Sequence, residues 1–171
     1  MSAADLDGLW GRGRQEGLVP CSRVPIREVG AGEPLPPWAS RRSDAVRGGM
    51  SRAARIVRPA EHTLAFMAEA TVDEERRCIA VVWARCEPGR DAAMIRFARR
   101  PGASDELMAA LFARVGVAAE RRGAKWLRWR LASDELGLLD SIRETVGAPV
   151  LHREGSCVVA EVAVTKGWRT R

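Results

Sequence analysis

The chain has 171 residues, a length that suits one ordinary domain with an extension. Hydrophobic residues make up 46% of it and charged residues 29%, a balance that is typical of globular rather than disordered proteins. The net charge is +6, but 26 of the 28 basic residues are arginines, as a GC-rich genome encodes without selection for polyanions. We therefore expect one packed core and no specific nucleic-acid role.

The four cysteines, at positions 21, 78, 86 and 157, form no C-x-x-C pair, and the chain has only two histidines. This pattern contains no metal-binding motif. Cys78 and Cys86 are expected on one strand face about 26 Å apart, too far for a disulfide. The first residues carry acids and no apolar signal region, and no apolar run is long enough to span a membrane. These features predict reduced thiols and a cytoplasmic protein.

Residues 1–61 are predicted to be an irregular extension, because they contain 8 of the 16 glycines and 6 of the 9 prolines. Within them, Ser22–Val29 could form one strand, which Pro25 would place at a sheet edge. Residues 40–56 could contain one or two short helices, broken at the two consecutive glycines Gly48 and Gly49.

Three short segments with strand-like alternation follow from His62, and they predict an antiparallel meander. The first is centred on residues 64–70, and the charged stretch 72–77 is expected to be an exposed turn. The second, Cys78–Cys86, is apolar on both faces at its centre, as in a central strand. The sequence Glu-Pro-Gly-Arg-Asp at 87–91 is a strong turn signal before the third strand, Ala92–Arg100.

A helix is predicted at 105–122, because apolar residues then recur at helical spacing. Ser104 is its expected N-cap, and Gly123 follows its basic last turn. The next segments are predicted in alternation: a strand at Lys125–Ala132, a helix from about Asp134 to Val146, and strands at Val150–Arg153 and Cys157–Val164. Residues 166–171 form a basic tail.

The order β-β-β-α-β-α-β-β over residues 62–165 resembles the core of the GCN5-related N-acetyltransferase (GNAT) superfamily. The passage AAERRGAKWLRWRL resembles that family's transition from its long helix into the following strand, and Gly147 matches the glycine that ends its second helix. The resemblance implies an α/β fold with a mixed sheet. It also implies an acyl-CoA-dependent N-acyltransferase that transfers an acetyl group from acetyl-CoA to an amine.

The family's cofactor loop reads Gln/Arg-x-x-Gly-x-Gly/Ala, and residues 99–104 (RRPGAS) are its equivalent here. Amides at a helix N-terminus can donate to a pyrophosphate, and arginines add charge-assisted hydrogen bonds. The candidate cofactor-binding residues are Arg99, Arg100, Gly102, Ala103 and Ser104. The departures are the final serine, the amide lost at the proline, and the negative charge of residues 105 and 106. The alternative is that this segment is only a capped helix start.

The candidate catalytic residues are Glu69, Ser133 and Asp134. The chain has no tyrosine, whereas many family members use one to protonate the leaving thiolate. Glu69 is a candidate general base, because its strand face is otherwise apolar and partial burial would raise its pKa. Ser133 and Asp134 follow the strand where acyl donor and amine usually meet. The alternatives are an exposed glutamate near a turn and a serine that caps the next helix.

Two readings of the function remain open at this point. The first is an active acyl-CoA-dependent N-acyltransferase, and the second is a GNAT-like module that has lost catalysis and binds a protein partner or ligand. Trp129 is expected in the core, while Trp126, beside Arg128 and Arg130, could belong to a partner surface. The amine and the oligomeric state do not follow from the sequence.

Overall fold

The computed structural model of the chain describes residues 24–39, 62–72, 74–132, 135–155 and 157–164. Within them, seven strands form one sheet in the order β1-β2-β3-β4-β5-β7-β6. The strands are β1 (Ile26–Glu28), β2 (Thr63–Val72), β3 (Glu75–Arg85), β4 (Ala92–Arg99), β5 (Trp126–Leu131), β6 (Val150–Glu154) and β7 (Cys157–Ala163). The helices are α1 (Asp105–Arg121) and α2 (Leu136–Thr145), with one further helical turn at residues 37–39. The predicted α/β fold with a mixed sheet is confirmed.

The hairpin between β2 and β3 is tighter than the sequence predicted. Val72 lies opposite Glu75, so only residues 73 and 74 separate the strands, and the expected turn over residues 72–77 is wrong. Arg76 and Arg77 pair with β2 instead. Exposed charged side chains can extend a strand pair beyond the core, because the backbone hydrogen bonds do not depend on burial of the side chains.

An extra residue in β3, Ile79, changes which side chains share a face. Glu69 lies opposite Cys78, whereas the preceding β2 residue lies opposite Ala80, so Ile79 has no partner of its own. Such a bulge shifts the two-residue alternation by one position. Cys78 consequently packs on the face opposite to that of Cys86, and the prediction that the two cysteines share a face is wrong.

The passage from β4 through α1 to β5 was predicted correctly. The strands are parallel neighbours, and Ser104 caps α1 by accepting a hydrogen bond from the Leu107 amide at 3.2 Å. Their pairing is short, because it covers only Ala92–Met94 with Trp126–Arg128. Beyond these pairs, the carboxyl-terminal parts of β4 and β5 diverge.

The two faces of the sheet carry separate apolar clusters. The larger cluster lies between the sheet and the two helices, and its largest fully buried side chains include Trp129, Phe112, Leu107 and Leu138. Trp129 is only 1% exposed, which confirms its predicted place in the core. The second cluster lies under the segment after β1, whose Val29, Leu35 and Ala39 cover β2, β3 and the end of β4. Burial of this apolar surface is the main force that holds both layers on the sheet.

Part of the N-terminal extension belongs to the sheet itself. β1 pairs with β2 at the sheet edge, directly after Pro25, which confirms the predicted edge strand. The short helices predicted within residues 40–56 and the basic tail at 166–171 lie outside the described residues. In the described part of the chain, no helix combines the length and apolar character needed to cross a membrane.

Candidate functional site

A depression of about 490 Å³ lies where β4 ends and α1 begins. Residues 99–106 line it together with Ser141 of α2. All five residues predicted for cofactor binding, Arg99, Arg100, Gly102, Ala103 and Ser104, are therefore in the lining. The depression also opens next to the region in which β4 and β5 diverge, because it begins at the last residue of β4.

The backbone of this loop forms a tight turn into α1. The Ala103 amide donates to the Arg100 carbonyl at 3.2 Å, and Gly102 has a φ of +95°, a region that glycine adopts without steric cost. The first amides of a helix have no acceptor within that helix, and here the Ser104 hydroxyl satisfies that of Leu107. The positive end of the helix dipole favours a negatively charged group at this place.

Arg99 makes an ion pair with Asp105 within the depression. Their side chains are 20% and 33% exposed, so both are partly withdrawn from solvent. The other carboxylate oxygen of Asp105, Oδ2, lies beside Gly137 in the first turn of α2, where an added Cβ would be 3.3 Å away. Asp105 thus lies between the end of β4 and the beginning of α2.

Arg100 lies on the sheet face opposite to that of Arg99 and contacts the N-terminal segment. Its guanidinium carbon is 5.1 Å from the centre of the Trp38 ring. Its backbone amide donates to the carbonyl of the bulge residue Ile79 at 2.8 Å. The Arg100 Nε atom is buried and has no hydrogen-bond partner among the described residues. A buried donor of this kind is costly unless an acceptor is supplied.

Glu69 belongs to a small charged network on the same face as Arg100. Its Oε1 lies 3.2 Å from Arg27 Nη2, and Arg27 also contacts Glu33 at 2.7 Å. The hydrogen bonds that the Arg27 guanidinium donates to Glu33, and then those to Glu69, raise its pKa. The hydrogen bond from Arg27 in turn lowers the pKa of Glu33. The Glu69 side chain is 18% exposed, so the partial burial expected for it is present.

The strand register places Glu69 near the cofactor loop. Arg99, the last residue of β4, lies opposite Ala80, and Ala80 lies opposite Ala68. Glu69 is the residue that follows Ala68 in β2, so it lies close to the level at which β4 ends. Two strand spacings separate Glu69 from β4, which is about 10 Å across the sheet. Of the other two catalytic candidates, Ser133 and Asp134, nothing is described, because both lie outside the described residues.

The thiol of Cys78 lies in the same neighbourhood but is unsuited to nucleophilic chemistry. Burial raises its pKa from 9.0 to about 11, so the thiol remains protonated at neutral pH. In the part of the chain that the structure describes, no group of three or more histidine, cysteine, aspartate or glutamate side chains could hold a metal ion. His152 is exposed in β6, at the edge of the sheet opposite to β1, and its Nε2 lies 3.1 Å from Glu161 Oε2.

Sequence reasoning missed several residues that shape this region, namely Arg27, Glu33, Trp38 and Ser141. The first three come from the extension, which looked irregular because of its glycines and prolines. Ser141 lies on α2 and reaches the depression only through helix packing. Apart from the Arg27–Glu33 pair, each contact joins segments that are distant in the sequence, and no local pattern marks such a contact.

No protein-family model and no curated protein matches the sequence. Solved structures do resemble the fold. The GNAT domain of PAT from S. lividans superimposes with a TM-score of 0.58 at 14% identity, covering 82% of this chain and 90% of that domain. A Klebsiella pneumoniae protein assigned as an acyl-CoA N-acyltransferase gives 0.61 at 11% identity, covering 84% and 99%. A Staphylococcus epidermidis protein assigned as an acetyltransferase gives 0.55 at 10% identity, covering 83% and 99%. The chain has the GNAT fold.

Proposed function

We propose that this protein is an acyl-CoA-dependent N-acyltransferase that transfers an acetyl group from acetyl-CoA to an amine. The observation that carries the proposal is the depression at the start of α1, where the predicted cofactor residues meet at the end of β4. The solved structures with the same fold include proteins assigned as acyl-CoA N-acyltransferase and acetyltransferase, which supports the same assignment here.

The chemistry of the depression suits the pyrophosphate of coenzyme A. Arg99 can make charge-assisted hydrogen bonds to phosphate oxygens, and Arg100, which also lines the depression, adds positive charge although its Nε is buried and its guanidinium lies over Trp38. The amides at the beginning of α1 provide further donors. Gly102 allows close approach of the backbone, because it has no side chain above the turn. These groups would bind the nucleotide end of the co-substrate.

The reaction requires two proton transfers. The amine nitrogen forms a bond to the thioester carbonyl carbon, the carbon–sulfur bond breaks, and the thiolate leaves with the electron pair. The attacking nitrogen loses one proton, and the thiolate gains one. We assign Glu69 as the candidate base and Ser133 with Asp134 as the candidates that return a proton to sulfur, since the chain has no tyrosine.

The state of the cysteines is consistent with this proposal. Within the described residues, the cysteines Cys78, Cys86 and Cys157 are free. Free thiols support the proposed cytoplasmic location, where acetyl-CoA is also available.

The direct test measures binding and turnover separately. Acetyl-CoA at 100 times its Kd should stabilise the protein by about 2.7 kcal/mol in a thermal titration. Replacing Arg99 and Arg100 together by alanine should weaken binding by about tenfold or more, because two charge-assisted contacts are lost. Release of free coenzyme A is then followed with a panel of primary amines. Absence of both binding and release would contradict the proposal.

A catalytically inactive binding module is the second candidate, and two observations favour it. Arg99 is already paired with Asp105, and the usual tyrosine acid is missing. Such a module would bind a protein partner or ligand through the same fold. It would show acetyl-CoA binding without turnover on any amine, or no binding of acetyl-CoA at all.

A further inference from the structure

The Asp105 carboxylate occupies a place that favours an external anion. It is the first residue of α1, at the positive end of the helix dipole, and it is paired with Arg99 of the same depression. A phosphate group at this helix N-terminus would be stabilised by the positive end of the helix dipole and by an ion pair with Arg99. A fixed carboxylate with the same preferences therefore competes with it for these groups.

The contact with α2 strengthens this interpretation. Asp105 Oδ2 lies beside Gly137, in the first turn of α2, and the acidic residue that α2 itself provides at this end is its N-cap residue Glu135. Asp105 therefore lies at the N-terminus of α1 and adds its negative charge to that of Glu135 at the N-terminus of α2. Gly137 leaves room for the carboxylate, because a Cβ there would lie 3.3 Å from Oδ2 and force a shift.

We infer that Asp105 is a built-in competing anion that holds Arg99 in the unliganded protein and lowers the affinity for coenzyme A. The inference rests on the proposed function and specifies how its cofactor site is regulated. Binding of the pyrophosphate requires Arg99 to exchange the Asp105 carboxylate for a phosphate oxygen. The bound pyrophosphate also remains close to a like charge, which costs binding free energy.

The decisive variant is Asp105→Asn, which keeps the shape of the side chain and removes its charge. We expect it to bind coenzyme A at least tenfold more tightly than the wild type, measured by isothermal titration calorimetry. The same variant should melt at a lower temperature without ligand, because it loses an ion pair and a favourable charge at the helix N-terminus. A carboxylate with a purely structural role would lower the melting temperature without any gain in affinity.

A matched control separates this effect from a change in net charge. Glu120 lies in the last turn of the same helix, so Glu120→Gln removes one negative charge far from the depression. We expect the affinity of Glu120→Gln for coenzyme A to stay within twofold of the wild type. If the affinity for coenzyme A rises equally in both variants, the cause is the change in overall charge and the inference is overturned.

The role of Arg99 is tested by combining substitutions. In an Arg99→Ala background, Asp105→Asn should raise the affinity for coenzyme A by less than it does in the wild type. The reason is that no arginine side chain remains to be released from its pair with Asp105. If Asp105→Asn fails to fold, Asp105→Ser provides the same comparison with a residue that is tolerated in the first turn of a helix.

The outcomes distinguish the inference from the proposed function. If wild type and Asp105→Asn bind coenzyme A with equal affinity, the inference is overturned and the proposed function stands. If only Asp105→Asn binds coenzyme A measurably, the inference is supported, because the wild-type affinity is then below the detection limit of the calorimeter. If neither protein binds coenzyme A, both the inference and the proposed function are contradicted.

Discussion

The Arg100 guanidinium stacks on Trp38, with 5.1 Å between the guanidinium carbon and the ring centre. This contact joins the proposed cofactor loop to a segment that precedes β2 by more than twenty residues in the sequence. The N-terminal extension thus positions a side chain of the depression.

Replacing Trp38 by leucine should loosen Arg100 while keeping an apolar side chain at this position. A cation–π contact of this type contributes about 0.5–2 kcal/mol, so we expect acetyl-CoA binding to weaken by about 2- to 30-fold. Isothermal titration calorimetry provides the measurement. The matched control is Trp126→Leu, because Trp126 is 41% exposed and lies beside Ala92, at the opposite end of β4 from Arg100. Equal affinity of Trp38→Leu and wild type would show that the stacking does not serve binding.

Glu69→Gln tests the candidate base. If Glu69 accepts the proton of the amine, the substitution should lower kcat/KM by about 10²–10⁴ while leaving acetyl-CoA affinity unchanged. The rate of coenzyme A release with a saturating amine provides the readout. Glu33→Gln is the control, because Glu33 contacts the same Arg27 guanidinium but lies outside the sheet. A similar loss of activity in both variants would point to the position of Arg27 rather than to proton transfer.

The fold was predictable because each element carries its own local signal. The alternation in β3 and β4, the N-cap at Ser104 and the helical spacing after it depend on near neighbours. The bulge at Ile79 was not predictable, since nothing in that strand's own sequence indicates an unpartnered residue. The ion pair of Arg99 with Asp105 was only partly predictable, because the sequence showed the carboxylate at the helix start but not which arginine would pair with it.

The buried thiol of Cys78 gives a specific dependence of stability on alkaline pH. Burial raises its pKa from 9.0 to about 11, so the folded protein keeps a proton that the unfolded chain loses between these values. The free energy of unfolding should therefore fall as the pH rises through this window, by about 2–3 kcal/mol in total from this group. Apart from the other cysteines, few groups titrate between these pH values, because the chain has no tyrosine and only Lys125 and Lys166 as lysines.

Urea unfolding at roughly pH 8.5, 9.5 and 10.5 would measure how the free energy of unfolding depends on pH. These pH values span the range in which an ordinary thiol titrates. Cys78→Ala should flatten this dependence, whereas Cys157→Ala is the thiol control away from that part of the sheet. Cys86 contributes in the same direction, since burial raises its pKa as well. An unchanged slope in Cys78→Ala would contradict the assignment to this thiol.

The short pairing of β4 with β5 leaves a pattern that deuterium exchange should detect residue by residue. The Arg100 amide points to Ile79 in β3, so by strand alternation the Ala98 amide points to β3 and the Phe97 amide points toward β5. Because β5 has already diverged there, Phe97 should exchange faster than Ala98 although both lie in the same strand. The difference should disappear when acetyl-CoA is added, provided that the acyl donor enters between the two strands and accepts a hydrogen bond from the Phe97 amide.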